Sequence, residues 1–121
     1  VYTSSTAGQV AEPEAAAYNS SKHGLLGLMR SVARDAGVHG ITANAVLPGW
    51  VRTEMAERSA RAEAQARGIT VENIWEERAA LYPSGRVLMP EEVAEVIAFL
   101  ASQESSGVSG EAVTVALGGV W

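Results

Sequence analysis

The chain has 121 residues, of which 47% are hydrophobic, and carries a net charge of −5 at neutral pH. This length suffices for one domain with a buried core. Nine scattered basic residues argue against a nucleic-acid partner, because phosphate binding requires a basic patch. Two distant histidines and no cysteine exclude disulfides and predict no metal centre. With neither a signal peptide nor an apolar run long enough to span a membrane, a cytoplasmic location is predicted.

The first predicted elements are a strand, a long helix and a second strand. Residues 1–5 (VYTSS) are β-prone and lead into a loop with glycine and proline. A helix is expected from about Glu14 to Ala36, ended by Gly37. Its buried stripe is expected to comprise Leu25, Leu28, Met29, Val32, Ala33 and Ala36. The apolar run ITANAVLPG then predicts a strand buried on both faces, as parallel strands are.

The second half of the chain predicts three helices and a last strand. Residues 51–88 are polar and alanine-rich, and we expect them to form a mobile insertion of two helices, the second capped at Thr70. Trp75 and Tyr82 are candidates both for anchoring this insertion and for touching a substrate. Pro90 starts the third helix at the position that proline prefers. EAVTVALGG predicts the final strand.

This order of elements is that of half a doubly wound parallel α/β sheet, a Rossmann-like arrangement. Ligands bind such sheets at the carboxyl ends of the strands. Ser5 follows the first predicted strand and residues Pro48–Thr53 follow the second, so both segments are expected to border one crevice. Because the sequence opens in what reads as a strand already in progress, we expect it to belong to a longer polypeptide.

Tyr18 and Lys22 are four residues apart in the predicted helix, so their side chains share one face. A free tyrosine has a pKa of about 10 and is a poor base at neutral pH, whereas a nearby ammonium group favours the phenolate. Such a pair therefore suits general acid–base catalysis, and Ser5 is a candidate for hydrogen bonding a substrate oxygen. The same spacing also describes an ordinary amphipathic pair, and on spacing alone both interpretations stay open.

The motifs together resemble the C-terminal half of a classical short-chain dehydrogenase/reductase over nearly the whole chain. SSTAG followed by YNSSK is similar to that family's catalytic serine, tyrosine and lysine, and NAVLPGWVRTEM is similar to the segment that lies over its nicotinamide. GR…PEEVA…FLAS and SGE…GG follow in the family's order. The resemblance implies that residues 1–121 are the C-terminal catalytic and substrate portion of a single Rossmann-fold reductase domain, whose N-terminal half, with the glycine-rich phosphate loop, is not in this chain.

The resemblance also implies a role for each matched residue. Tyr18 exchanges a proton with the carbonyl or alcohol oxygen, Lys22 favours the phenolate and binds the nicotinamide ribose, and Ser5 orients the substrate oxygen. The implied cofactor is NAD or NADP, and its binding site comprises Tyr18, Lys22, Pro48, Gly49, Val51 and Thr53. One departure is Leu117, which stands where the family usually has an acidic or amide residue before its final Gly-Gly.

The implied activity is NAD(P)-dependent interconversion of a small-molecule ketone and a secondary alcohol. The most similar groups are 3-oxoacyl-carrier-protein reductases, polyketide ketoreductases and hydroxybutyrate dehydrogenases, with substrate selection expected within residues 54–88. A homodimer or homotetramer is implied, assembled through the tyrosine-bearing helix and the C-terminal strand and helix, with the terminal GGVW docking on a neighbour. Two alternatives stay open: a truncated, inactive oligomerisation module, and an epimerase or dehydratase of the family's extended branch.

Overall fold

A computed structural model of the chain describes residues 1–119; Val120 and Trp121, and with them the expected docking of GGVW, lie outside the described residues. In the described part the strands are β1 (Tyr2–Thr3), β2 (Ala45–Pro48) and β3 (Ala112–Val115). The helices are α1 (Ala16–Ala36), α2 (Glu54–Arg67), α3 (Val71–Ala80) and α4 (Pro90–Leu100). None of these helices is both long and apolar enough to cross a bilayer.

The sheet has β2 at its centre, with β1 on one side and β3 on the other, and both pairings are parallel. The register places Ala45 opposite Tyr2 and opposite Ala112. All the carboxyl ends therefore lie at one edge of the sheet. The predicted α/β class, with strands alternating with helices around a parallel sheet, is confirmed.

The central strand packs into two hydrophobic clusters, one on each face of the sheet. Ala45 and Leu47 pack with Met29 of α1, whereas Val46 packs with Leu100 of α4. Successive side chains of a strand point to opposite faces, so α1 and α4 cover opposite faces of the sheet. This explains the uninterrupted apolar run in the sequence, since β2 has no face left for water.

The helix that bears Tyr18 packs on the sheet through a stripe that overlaps the expected one, sharing Met29, Val32 and Ala33, but is not identical to it. Leu26 and Met29 are buried, with Ala33 against the same cluster, whereas Leu28 is 54% exposed. The prediction that placed Leu28 in the core was therefore wrong. Two overlapping sets of residues recur at steps of three and four in this helix, and periodicity alone does not say which of them meets the sheet.

The start of α1 is also two residues later than expected. Glu14, where the helix was predicted to begin, has a φ of 58°. That left-handed conformation costs a residue with a Cβ on the order of 1 kcal/mol and is incompatible with a right-handed helix. The backbone therefore turns sharply before α1 starts at Ala16.

The insertion between β2 and α4 is built on alanines rather than large apolar side chains. Ala60 and Ala64 of α2 are buried against Ile74 and Trp75 of α3. Small side chains on α2 let the backbones of the two helices approach closely. The predicted N-cap of α3 at Thr70 is confirmed, since the Thr70 hydroxyl accepts a hydrogen bond from the Asn73 amide at 3.2 Å.

A buried cation fastens this helix pair to the turn that follows β2. Arg78, only 5% exposed, places its guanidinium carbon 3.8 Å from the ring centroid of Trp50 and 5.0 Å from that of Trp75. It donates hydrogen bonds to the carbonyl of Ala56 and the carboxylate of Glu63, each at 3.1 Å. The Trp50 ring packs against the cluster formed by α2 and α3.

We expect Arg78→Ala to lower the free energy of unfolding by about 2–4 kcal/mol, because it removes a buried cation together with its hydrogen bonds and ring contacts. Urea denaturation of the protein as its gene encodes it would measure the loss. The matched control is Arg58→Ala, which removes an exposed pair with Glu54 and should cost less than about 0.5 kcal/mol. Equal effects of the two substitutions would contradict the fastening role of Arg78.

Candidate active site

The two segments expected to form the site follow neighbouring strands. The pairing of β1 with β2 continues past Thr3, since the Ser4 amide donates to the Val46 carbonyl at 2.9 Å. Ser5 comes next on the first strand, and residues 49–53 follow the end of the second. Both segments therefore leave the sheet at the same edge, as predicted.

Ser5 ends the extended backbone and begins a short 3-10 turn, Thr6–Gly8. Its hydroxyl oxygen accepts a hydrogen bond from the Ala7 amide at 3.2 Å. A serine hydroxyl acts as donor and acceptor at once. The capping bond therefore orients the side chain and leaves its O–H group to donate to a ligand.

The turn after Ser5 lies directly against α1. A Cβ atom on Gly8 would lie 2.6 Å from the Ser4 hydroxyl and 3.0 Å from the Lys22 carbonyl, so only glycine permits this approach. The Ser4 hydroxyl in turn donates to the same carbonyl at 3.0 Å. These contacts set the separation between Ser5 and the segment of α1 that carries Lys22.

Tyr18 and Lys22 occupy one face of α1, as their spacing predicts. The Lys22 ammonium lies 5.6 Å from the centroid of the Tyr18 ring and donates a hydrogen bond to the Thr3 carbonyl at 3.1 Å. Tyr18 is 48% exposed. An ammonium has three donors, so two remain after the bond to β1. Among the described residues, 1–119, Ser5 and Tyr18 form no hydrogen bond with each other.

Asn19, which the sequence did not single out, holds the loop in front of this pair. Its side-chain oxygen accepts from the Glu12 amide at 3.3 Å, and its side-chain nitrogen donates to the Glu12 carbonyl at 2.8 Å. Both main-chain groups of one loop residue are thus bonded to the helix. A polar residue directly after Tyr18 is the only signal that the sequence offers for this contact.

The turn after β2 is held from two sides. The Leu88 amide donates to the Trp50 carbonyl at 3.0 Å and the Arg52 amide donates to the Leu88 carbonyl at 2.8 Å, so Val51 is bridged to Leu88. Thr53 caps α2, its hydroxyl oxygen accepting from the Ala56 amide at 3.2 Å. The candidate cofactor residues Val51 and Thr53 therefore stand on fixed backbone.

Tyr82 lies beneath the same turn and is 3% exposed. Its hydroxyl oxygen accepts a hydrogen bond from the Trp50 amide at 2.6 Å. Burial raises the pKa of the Tyr82 phenol above its usual value, so this hydroxyl stays protonated at neutral pH. The expected anchoring role agrees with this placement, but the phenol contacts the turn from inside the protein.

The segment between α3 and α4 is closed by an ion pair. Arg86 donates two hydrogen bonds to the Glu92 carboxylate, at 2.7 and 2.8 Å, and the Met89 amide donates to the same carboxylate at 2.8 Å. The guanidinium and that amide lower the pKa of Glu92 to about 2. The pair spans Leu88, the partner of Val51, which gives a physical reason for the GR…PEE spacing.

Leu117 adopts a φ of 51°. Asparagine and aspartate tolerate this left-handed conformation better than other residues with a side chain. The acidic or amide residue that the family usually has at this position would suit this backbone conformation better than the leucine present here. Packing of Leu117 against the cluster under α4 offsets part of that cost.

The residues at this edge suit a nicotinamide dinucleotide by the chemistry of their donors. Lys22 has free N–H groups for ribose hydroxyls, and the Thr53 hydroxyl and the backbone around Val51 are of the kind that bind a carboxamide. Tyr18 is half-exposed, and its ring lies beside the ammonium. Proton transfer next to a bound cofactor is the chemistry that this set supports.

Comparison with known proteins gives a family match over residues 1–119, to the family described as enoyl-(acyl carrier protein) reductase. The chain is 41% identical over 119 residues to the protein MoaE of Klebsiella aerogenes, covering 98% of this chain and 46% of that protein. It is 38% identical to a putative ketoacyl reductase of the monensin polyketide synthase from Streptomyces virginiae, covering 95% and 44%. It is 36% identical to a D-β-hydroxybutyrate dehydrogenase of Cupriavidus necator, covering 91% and 43%. The chain thus spans less than half the length of these relatives.

Solved structures agree with these matches. A short-chain dehydrogenase family protein from Francisella tularensis superposes with a TM-score of 0.93 at 27% identity, over 95% of this chain and 48% of that one. The F189W variant of the actinorhodin polyketide ketoreductase, solved with NADPH, superposes with a TM-score of 0.87 at 35% identity, over 96% and 45%. The resemblance inferred from the motifs is confirmed.

We expect Glu92→Gln to be less stable than wild type at neutral pH and equally stable in acid. The folded-state pKa of Glu92 is about 2, below the ordinary 4.5. The ionised carboxylate therefore stabilises the fold above about pH 4.5, and this contribution disappears as the pH falls towards 2. Urea midpoints of wild type and variant, measured from pH 7 to pH 2.5, should converge. Glu91→Gln, which keeps the ion pair, is the control; parallel curves for Glu92→Gln would contradict the assignment.

Proposed function

The chain belongs to the short-chain dehydrogenase/reductase family, and on that premise we propose that its protein interconverts a ketone and a secondary alcohol with NAD or NADP. The family is one of oxidoreductases, and the NADPH-bound relative supports a nicotinamide dinucleotide as cofactor. The observation that carries the proposal is the Tyr18–Lys22 pair, an exposed phenol beside an ammonium that is bonded to the end of β1.

In the proposed mechanism the proton moves at the Tyr18 hydroxyl. During reduction this hydroxyl gives its proton to the carbonyl oxygen, and during oxidation the phenolate takes the proton back from the alcohol. The positive charge of Lys22 stabilises the phenolate. The Ser5 O–H group donates a hydrogen bond to the same substrate oxygen and orients it. The nicotinamide, when bound, supplies or accepts the hydride.

The proposed cofactor contacts involve the shared end of NAD and NADP. Lys22 would bind the nicotinamide ribose through its remaining N–H groups, and Val51 and Thr53 would bind the carboxamide. Pro48 and Gly49 would shape the backbone that carries them. Both dinucleotides have this nicotinamide riboside end, so the two are proposed together.

The proposed substrate is a small-molecule carbonyl compound or alcohol, selected by residues 54–88. These residues form α2 and α3 and the segment that returns to α4. Arg78 fastens them to the turn that carries the cofactor contacts. A selecting element attached in this way keeps its position relative to the reacting groups, as efficient catalysis requires. A cytoplasmic location stays a prediction.

We expect Tyr18→Phe to lower kcat by about 10²–10⁴-fold, far more than it weakens cofactor binding, because it removes the proton donor. Lys22→Ala should weaken both cofactor binding and turnover. The assay follows oxidation of NADH and NADPH with 3-oxoacyl thioesters, 3-oxo acids and cyclic ketones, using the protein as its gene encodes it. Tyr2→Phe is the control for loss of a phenolic hydroxyl.

Near-normal turnover of Tyr18→Phe would refute the assignment of the proton donor. A change in stability alone for Lys22→Ala would favour an ordinary helical pair. If the wild-type protein turns over none of these ketones and binds neither dinucleotide, the proposed activity fails and the oligomerisation module is favoured.

We propose further that the protein forms a homodimer or homotetramer through α1, and we expect Leu28→Lys to weaken that assembly. Leu28 points off the sheet and is 54% exposed, and a charge at an apolar contact is costly to bury. Light scattering coupled to size-exclusion chromatography would report the mass. Val38→Lys, at a position that is 84% exposed in the turn after α1, is the control; an unchanged mass for Leu28→Lys would exclude this face.

A further inference from the structure

The turn Gly49–Val51 is held at three successive residues by three different parts of the fold. The Gly49 amide donates to the Val115 carbonyl of β3 at 3.0 Å. The Trp50 amide donates to the Tyr82 hydroxyl at 2.6 Å. Val51 is bridged to Leu88. The first and last contacts are made by backbone groups. The middle one is therefore the contact that a side-chain substitution can remove.

The phenol of Tyr82 is itself firmly placed. Its amide donates to the Ala79 carbonyl at 3.1 Å, which continues the end of α3, and its carbonyl accepts from the Gly85 amide at 2.9 Å. The side chain is 3% exposed, so the ring has little room to change rotamer. A rigid element therefore presents the hydroxyl to the turn.

Gly49 and Tyr82 are in close contact as well. A Cβ atom on residue 49 would lie 3.2 Å from two ring carbons of Tyr82 and nearer still to its hydroxyl oxygen. Glycine at this position lets the backbone lie directly on the phenol. The height of the turn above the protein core is thus set by the ring below Gly49 and by the hydrogen bond to Trp50.

We infer that Tyr82 is a positioning residue for the cofactor: its phenol fixes the turn at which Val51 would meet the nicotinamide. This inference rests on the proposed function. Without the hydroxyl, the part-buried Trp50 amide loses this acceptor, and the turn relaxes to recover a hydrogen bond. The backbone of Val51, the next residue, moves with it. Displacements on the order of 1 Å are enough to weaken its contact with a bound nicotinamide.

The experiment separates binding of the nicotinamide end from binding of the rest of the cofactor. Affinities for NADH and NADPH are compared with those for ADP-ribose and its 2′-phosphate, which lack the nicotinamide, using the protein as its gene encodes it. We expect Tyr82→Phe to bind the preferred dinucleotide about tenfold more weakly, with affinity for the matching ADP-ribose compound within about twofold. The KM for the dinucleotide should rise with it, and kcat should change less.

A second measurement does not depend on the cofactor. Amide hydrogen exchange of Trp50 should be about tenfold faster in Tyr82→Phe, with the exchange of β2 amides unchanged. Tyr2→Phe, which removes a phenolic hydroxyl from β1, is the matched control and should leave both measurements as in wild type. A variant that is merely destabilised would show faster exchange throughout the sheet, and that result would overturn the inference.

The outcomes distinguish this inference from the proposed function. Equal loss of affinity for both kinds of ligand, or no loss for either, overturns the role of Tyr82 while leaving the Tyr18 mechanism in place. If Tyr18→Phe lacks turnover but still binds the dinucleotide, the proposed function stands whatever Tyr82→Phe does. If the wild-type protein binds neither dinucleotide, the proposed function fails and the inference fails with it.

Discussion

The parallel pairing of β1 with β2 is the constraint on which the candidate site depends. It involves few residues, Tyr2 and Thr3 opposite Ala45 and Val46, yet it brings the ends of two sequence-distant segments to one edge. Lys22 reinforces it by bonding the last carbonyl of β1. Everything proposed for the chemistry follows from this edge, since the helix with Tyr18 and the turn after β2 both start there.

The rest of the molecule serves mainly to hold flexible backbone at that edge. Loops carry functional groups because they are free of the sheet's hydrogen-bond pattern, and for the same reason they need support. Asn19 supports the loop before α1, and Tyr82 supports the turn after β2. Arg78 ties the insertion to Trp50. Each support is a single buried or half-buried side chain, and those of Tyr82 and Arg78 act between elements more than twenty residues apart in the sequence.

This division explains how much could be predicted from the sequence. Local signals were reliable: Thr70 and Pro90 mark helix starts correctly, and the apolar run around Val46 is a doubly buried strand. The pattern of predicted elements placed Ser5 just after the first strand and Tyr18 and Lys22 on the long helix, where the structure has them. On α1, the sequence predicted Met29, Val32 and Ala33 correctly and Leu28 wrongly, because two overlapping stripes fit its periodicity. The sheet that selects Leu26 over Leu28 is not encoded in the helix itself. The Tyr82–Trp50 and Asn19–Glu12 bonds have no local pattern, since each depends on how two elements come to lie together.

Gly49 and Tyr82 also constrain each other over 33 positions of sequence. A larger residue at 49 has room only if the ring at 82 becomes smaller, and a smaller residue at 82 leaves a void under the turn that a methyl group at 49 would partly fill. The two positions are therefore expected to change together in descent, as a complementary pair. Such a pair gives a route by which the height of this turn above the core can change while Tyr18 and Lys22 on α1 stay as they are.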